Sequence, residues 1–323
     1  MHEKLKNWPK RFWKRSLENE AYAMSHSVSH LRAIGFALMS FTLWVFADTG
    51  MKIASEAGMP PYELMGLMGL SATLVMMALA GMRKETKKLR IRDWRPQALC
   101  AVCSMVCTLS NAVALKHLSL TVFYIVVFTA PMVTAILAAL FLKERLSPIK
   151  VMAVIAGFIG VLVAVNTPHT SSTQTGDWIG YVTASISVAA YSIWTIRMRG
   201  MTQSESLESI AFFSGISLAG VGLGWTLIDL HRITTGGIGL ALLSGLFNLG
   251  GNLFNYKALK HTTAGNVLQI HYSQIITGAM MAYLIWGDLP AWRLVAGAAI
   301  IIGSGLVIAA QARKTIPLPP INL

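Results

Sequence analysis

The chain has 323 residues, of which 54% are hydrophobic and 13% charged, with a mean hydropathy of +0.56. A soluble domain carries about 25% charged residues, so the composition excludes a soluble nucleic-acid-binding module, a disordered chain and a secreted disulfide scaffold. The net charge of +13 would suggest nucleic acid in a soluble protein, but in a membrane protein the placement of charge matters more than its sum.

Residues 1–30 form a basic arm in which Trp8, Phe12 and Trp13 interleave with Lys and Arg. The arm reads as a segment lying on an anionic leaflet, or as a topogenic charge cluster. It has no uninterrupted apolar core of the signal-peptide kind. Ten apolar segments follow, at roughly 31–53, 61–81, 97–115, 120–142, 148–166, 178–197, 209–229, 236–256, 264–286 and 292–311. Each suits the span of about 20 apolar residues that a bilayer requires. Period-2 alternation is absent, so a β-barrel is not supported. The expected fold is an all-α polytopic membrane protein with ten transmembrane helices.

Charge sets the expected orientation. With both tails cytoplasmic, 23 of the 27 Lys and Arg residues fall in or beside cytoplasmic segments, and only Lys52, Lys116, Arg232 and Arg293 fall elsewhere. The loop from Arg83 to Arg95 supplies seven of the 23. That bias is the positive-inside signal.

The tetrapeptide Ala114-Leu115-Lys116-His117 recurs as Ala258-Leu259-Lys260-His261, an offset of 144 residues. The same offset takes Asn111 to Asn255, Phe128 to Tyr272 and Glu144 to Asp288. The spacing predicts two five-span halves, 31–166 and 178–313, with a periplasmic linker at 167–177 and a cytoplasmic tail at 314–323. An odd number of spans per half inverts the second against the first. Inverted halves around a midplane site are a recurring transporter design.

With these features the chain resembles the drug/metabolite transporter superfamily, in particular its ten-helix EamA-like members, over nearly all of 31–313. The clearest match is Ala130-Pro131, then Leu142-Lys143-Glu144-Arg145-Leu146-Ser147, then Gly157 and Gly160; the second half has Trp286-Gly287-Asp288-Leu289-Pro290, then Gly297 and Gly303. Trp44, Asp48 and Lys52 resemble a subgroup with an acid and a lysine in span one, which includes S-adenosylmethionine carriers. Two departures stand out: Glu63 precedes an apolar run where the family often has an arginine in span two, and Pro131 has only Ile275 as its counterpart in span nine. The resemblance implies a small-molecule carrier of the bacterial plasma (inner) membrane.

Polar side chains inside hydrocarbon are costly and tend to face a cavity or each other. In span eight, Asn248, Asn252 and Asn255 extend a stripe that begins at Ser244, and span three carries Ser104, Thr108 and Asn111. Both stripes suit a polar cavity wall, or bonding between helices. Span nine gathers Gln269, His271, Tyr272 and Gln274 near its middle. His271 is a candidate proton carrier or a packing residue. In span one, Trp44, Asp48 and Lys52 fall at i, i+4 and i+8. Asp48 faces a cationic solute or a proton, or else pairs with Lys52. Tyr124 and Phe128 in span four, and Tyr191 and Trp194 in span six, supply aromatic walls or ordinary packing. Glu144 and Asp288 suit helix ends more than solute contact. Cys100, Cys103 and Cys107 share a face but lack a fourth ligand, and neither a metal nor a cofactor is expected.

The leading expectation is a secondary active transporter that moves an amino acid or another zwitterionic or cationic metabolite by alternating access, acting as a monomer or homodimer. Its partners are the solute and the lipid bilayer, not nucleic acid. No G-x-x-x-x-G-K-[ST] loop is present to bind nucleotide, and no H-E-x-x-H or G-x-S-x-G enzyme signature occurs. A passive channel and an intramembrane enzyme are the alternatives.

Overall fold

The computed structural model describes residues 8–142, 148–165, 178–201, 205–229, 235–261, 267, 270–288 and 292–314, with most side chains from Leu31 onward. No strand occurs among the described residues. The helices are α1 (Trp8–Glu56), α2 (Pro61–Met82), α3 (Trp94–His117), α4 (Leu120–Val127), α5 (Ala130–Leu142), α6 (Pro148–Val165), α7 (Trp178–Met201), α8 (Leu207–Asp229), α9 (Ile238–His261), α10 (Gln274–Trp286) and α11 (Trp292–Lys314). Six helices are long and apolar enough to cross a bilayer: Leu31–Glu56, Pro61–Met82, Trp94–His117, Trp178–Met198, Leu207–Asp229 and Thr235–His261. Shorter apolar helices cover Leu120–Thr134, Val151–Val163 and Val295–Val307. The proposed linker at 167–177, Glu144 and Gln269 lie outside the described residues.

Local chemistry explains several helix ends. Pro60 and Pro61 start α2, where the missing N–H is one that the first turn leaves unused anyway. Asp93 caps α3 by accepting from Arg95 N at 3.1 Å, and Ser119 caps α4 by accepting from Val122 N at 3.3 Å. Helix α10 stops at Gly287, whose φ of +70° permits Gly287 N to reach Tyr283 O at 2.9 Å and Asp288 N to reach Ala282 O at 3.3 Å. A glycine takes that left-handed conformation without a Cβ clash.

Helix α1 runs unbroken from Trp8 to Glu56 over 49 residues, so the backbone of the basic arm continues into span one. Neither Pro nor Gly lies between Pro9 and Gly35 to stop it. Span four is not one helix but two, α4 and α5, separated by Phe128 and Thr129. Pro131 has no N–H to offer Val127, and its ring crowds that carbonyl. Thr129 Oγ1 bonds Val126 O at 2.7 Å and helps satisfy the broken ladder. Span nine also departs from α geometry, with a 3-10 turn at His271–Ser273. It falls at the same repeat position, since Phe128 and Tyr272 are 144 residues apart.

The heaviest packing crosses the two halves: α1 lies on α9, α2 on α8, α3 on α7 and α6 on α11, while α4 packs on both α7 and α10, and α5 on α7. In spans, the heaviest pairs are one with eight, two with seven, three with six and five with ten, and span four divides between six and nine. Exchanging each span for its counterpart five later leaves these heaviest pairs unchanged, as two related, inverted halves require. Small residues bring the pairs together. A Cβ on Gly222 of α8 would fall 2.4 Å from Gly66 N of α2, and one on Gly160 of α6 would fall 2.9 Å from Gly297 O of α11.

Candidate functional site

The helices enclose a central cavity of about 820 Å3, including the space at its mouth. Helix α1 contributes Trp44, Ala47, Asp48 and Met51; α3 contributes Ser104, Cys107, Thr108 and Asn111. From α7 come Ser187, Val188, Tyr191 and Trp194, and from α9 come Asn248 and Asn252. The interrupted spans add Phe123 and Val127 on one side and His271 and Gln274 on the other. The cavity therefore draws on both halves, with amides, hydroxyls and aromatic faces set around one carboxylate.

The structure brings Trp44, Asp48, Asn111, Tyr191, Trp194, Asn248, Asn252 and His271 to this wall. Tyr124, Phe128 and Tyr272 lie behind it. Tyr124 reaches forward to donate a 3.0 Å hydrogen bond to Asp48 Oδ2. Phe128 stands 5.9 Å from His271 and 6.0 Å from Tyr272, ring centre to ring centre. Phe128 and Tyr272, matched in the repeat, thus meet between the halves. Asn255 is 1% exposed, away from the cavity, and packs in the core of α9.

Lys52 does not pair with Asp48. Its ammonium donates to Leu115 O at 3.2 Å and Leu118 O at 3.0 Å, and it forms a 3.1 Å ion pair with Glu56. A cation at the carboxyl end of α3 answers the orphan carbonyls and the helix dipole there. Trp286 Nε1 donates to Glu56 Oε2 at 3.0 Å, so the same cluster joins span one to span nine. Asp48 is left as the sole acid among the described residues lining the cavity.

The aromatic rings touch in series. Trp44 meets Phe41 at 5.4 Å and Tyr191 at 5.8 Å; Tyr191 meets Trp194 at 6.1 Å and His271 at 5.8 Å. Phe41 stacks on His271 at 4.8 Å. Beneath this group, Gln274 Nε2 donates to Phe41 O at 3.0 Å. Gly251 lets α9 approach Trp44 closely: a Cβ there would fall 2.5 Å from the indole. Ser40 Oγ fixes the same crossing by donating to Gly251 O at 2.8 Å.

Ser187 and Cys107 complete the polar wall, and neither stood out in the sequence as a site residue. Ser187 donates to Asn111 Oδ1, and Cys107 Sγ lies 3.4 Å from Ser187 Oγ. Ser187 sits at i−4 and i−7 from Tyr191 and Trp194, a spacing that places all three on one helix face. Cys100 instead meets Met201 Sδ at 3.3 Å. Among the described residues no three His, Cys, Asp or Glu side chains gather as a metal site would need.

The sequence model of the EamA-like transporter family matches residues 31–166 and again 178–310. An S-adenosylmethionine uptake transporter of Rickettsia felis is 31% identical over 192 residues, covering 59% of this chain and 63% of that protein. A riboflavin transporter of Rhizobium johnstonii is 27% identical over 186 residues, covering 56% of this chain and 59% of that protein. Human solute carrier family 35 member G1 is 25% identical over 212 residues, covering 62% and 58%. The match thus spans less than two thirds of the length of each of these relatives. A solved structure titled only as a crystal structure of a protein is similar in fold, with a TM-score of 0.63, 18% identity, and coverage of 90% of this chain and 99% of that one.

Proposed function

The chain belongs to the EamA-like transporter family, and from that premise we propose that it carries a small cationic or zwitterionic metabolite through the central cavity by alternating access. As a multi-pass membrane transporter it needs a solute site reachable in turn from either face. The observation that carries the reading is Asp48: one acid on the cavity wall, steadied by Tyr124, with Lys52 committed elsewhere. A lone carboxylate in an apolar surround favours a cationic partner. Trp44, Tyr191 and Trp194 offer ring faces to a cation or a planar group, and Asn111, Asn248 and Asn252 can both donate and accept. The absence of a Lys or Arg side chain among the described lining residues disfavours a phosphorylated anion.

The relatives named for S-adenosylmethionine uptake make that sulfonium compound the first solute to test. The two matched segments and the exchange-symmetric packing support two five-helix halves joined at 167–177. The basic loop Arg83–Arg95 supports cytoplasmic termini in a bacterial plasma membrane.

The test is radiotracer flux into proteoliposomes. Saturable uptake of a cationic or zwitterionic solute, accelerated by the same solute on the opposite side and lost in Asp48→Asn, is expected. Preference for a phosphorylated anion, or flux that neither saturates nor responds to solute across the membrane, overturns the reading.

A further inference from the structure

Beside the central cavity lies a second, smaller chamber of about 510 Å3, including the open space at its mouth. The two share Met68, Ser104, Trp194, Asn248 and Asn252 as common walls. The chamber extends away from Asp48 toward the end of the bundle that carries the basic loop, between Met198, Leu207 and Ile210. Its described lining contains no charged side chain.

Two residues before Leu207, the chain buries a carboxylate. Glu205 is 5% exposed. It accepts from Arg92 N at 3.2 Å, Asp93 N at 2.8 Å and Gln97 Nε2 at 2.9 Å, all at the start of α3. Gln97 Nε2 also donates to Ser209 Oγ at 2.8 Å, and Tyr256 Oη of α9 donates to Glu205 O at 2.9 Å. Gln97 lies seven residues before Ser104 on α3, about 10 Å along the helix axis. The knot therefore closes the bundle roughly two turns beyond the wall that both chambers share. It ties α3, α8 and α9 together. The amino end of α3 favours a negative charge at that spot.

We propose that the solute path continues from the central cavity into this second chamber, and that Glu205 bars its far end. The inference rests on the transport reading above. The same cationic or zwitterionic solute enters the chamber and binds there more weakly than beside Asp48, because no carboxylate faces it. Release at the basic end requires the Glu205 bonds to part, so that α8 and α9 can move from the start of α3. Glu205 is a positioning residue that does not touch solute in the cavity.

The test needs no solute. Ser214, which lines the chamber, is changed to cysteine in a Cys100→Ala, Cys103→Ala, Cys107→Ser background. A membrane-impermeant thiosulfonate is applied to sealed vesicles from the face that carries the loop 83–95. Slow labelling is expected with Glu205 present, at least tenfold faster labelling with Glu205→Ala, and a smaller increase with Gln97→Ala. Equal rates in all three proteins overturn the proposal, as does labelling from the opposite face alone. Should Glu205→Ala fail to fold, Gln97→Ala decides: an unchanged rate overturns the proposal. Failure of the cationic-solute reading would appear separately, as absent flux alongside an intact change in labelling.

Discussion

Tyr124 of α4 and Asp48 of α1 meet through a 3.0 Å hydrogen bond from the phenol to Oδ2, fastening span four to span one at the edge of the cavity. The phenol leaves the carboxylate an acceptor and fixes the direction it faces. Hydrogen bonds to a charged group contribute about 1.5–3 kcal/mol. Tyr124→Phe should therefore raise the apparent KM for a cationic solute by roughly tenfold, with a smaller change in maximal flux. Asp48→Asn should abolish measurable uptake of the cation yet retain binding of an uncharged analogue. Flux of the cation and a ligand-induced shift in melting temperature with the uncharged analogue check the two outcomes.

Lys52 is structural. Replacing it with Ala strips two carbonyl bonds from the end of α3 and leaves Glu56 without its ammonium. The expected cost is about 3 kcal/mol, seen as a lower melting temperature in detergent. Solute preference should be unchanged, because the lysine does not neutralise Asp48. A shift in preference without a stability change would contradict this assignment.

Gly251 and Gly250 make a matched pair of probes. An added methyl at Gly251 collides with the rigid indole of Trp44 at 2.5 Å, whereas at Gly250 it meets only Leu43 Cδ1 at 3.1 Å. Gly251→Ala should cost about 1–3 kcal/mol through overpacking and should reduce flux by shifting Trp44. Gly250→Ala should be the milder change, since the tip of a leucine can turn away. Melting curves and uptake on the two variants provide the comparison.

Asp288 offers a pH signature outside the membrane spans. Burial raises its pKa above the ordinary carboxylate value, with Lys52 opposing and Glu56 adding to the rise. An acid whose folded-state pKa is raised holds its proton to higher pH than the unfolded chain does. Stability is therefore lost as pH climbs from the unfolded pKa through the folded one. Asp288→Asn should melt higher than the parent at about pH 7.5, and the difference should vanish near pH 4. A variant that melts lower at neutral pH would show that the carboxylate is held by favourable contacts.

The apolar lengths and the 144-residue offset made the bundle and its two halves readable from sequence. Where a span stays helical, its polar stripe also pointed to the cavity: Trp44 with Asp48, and Asn248 with Asn252, face it together. Periodicity gives the direction of a side chain around a helix but not the depth at which neighbouring helices close over it. Asn255 continues the stripe of α9 and is nonetheless sealed in the core. Phe128 and Tyr272 lie in the interruptions, where a helical wheel no longer tracks orientation. Glu205 escaped notice because it occupies a short polar connection. Its significance comes from three backbone and side-chain donors more than 100 residues earlier in the chain.

The cross-half packing has a consequence for biogenesis. Since α1, α2, α3, α4 and α6 each lie chiefly on a helix from the second half, the first five spans have little to pack against while they are being made. They must wait in the lipid, with small-residue faces unmatched, until α7 and its successors are inserted. The order of assembly is then close to the reverse of a hairpin-by-hairpin route. Span six has to find span three before span eight can settle on span one. Severing the chain within 167–177 should yield two fragments that are degraded when made alone and persist when made together.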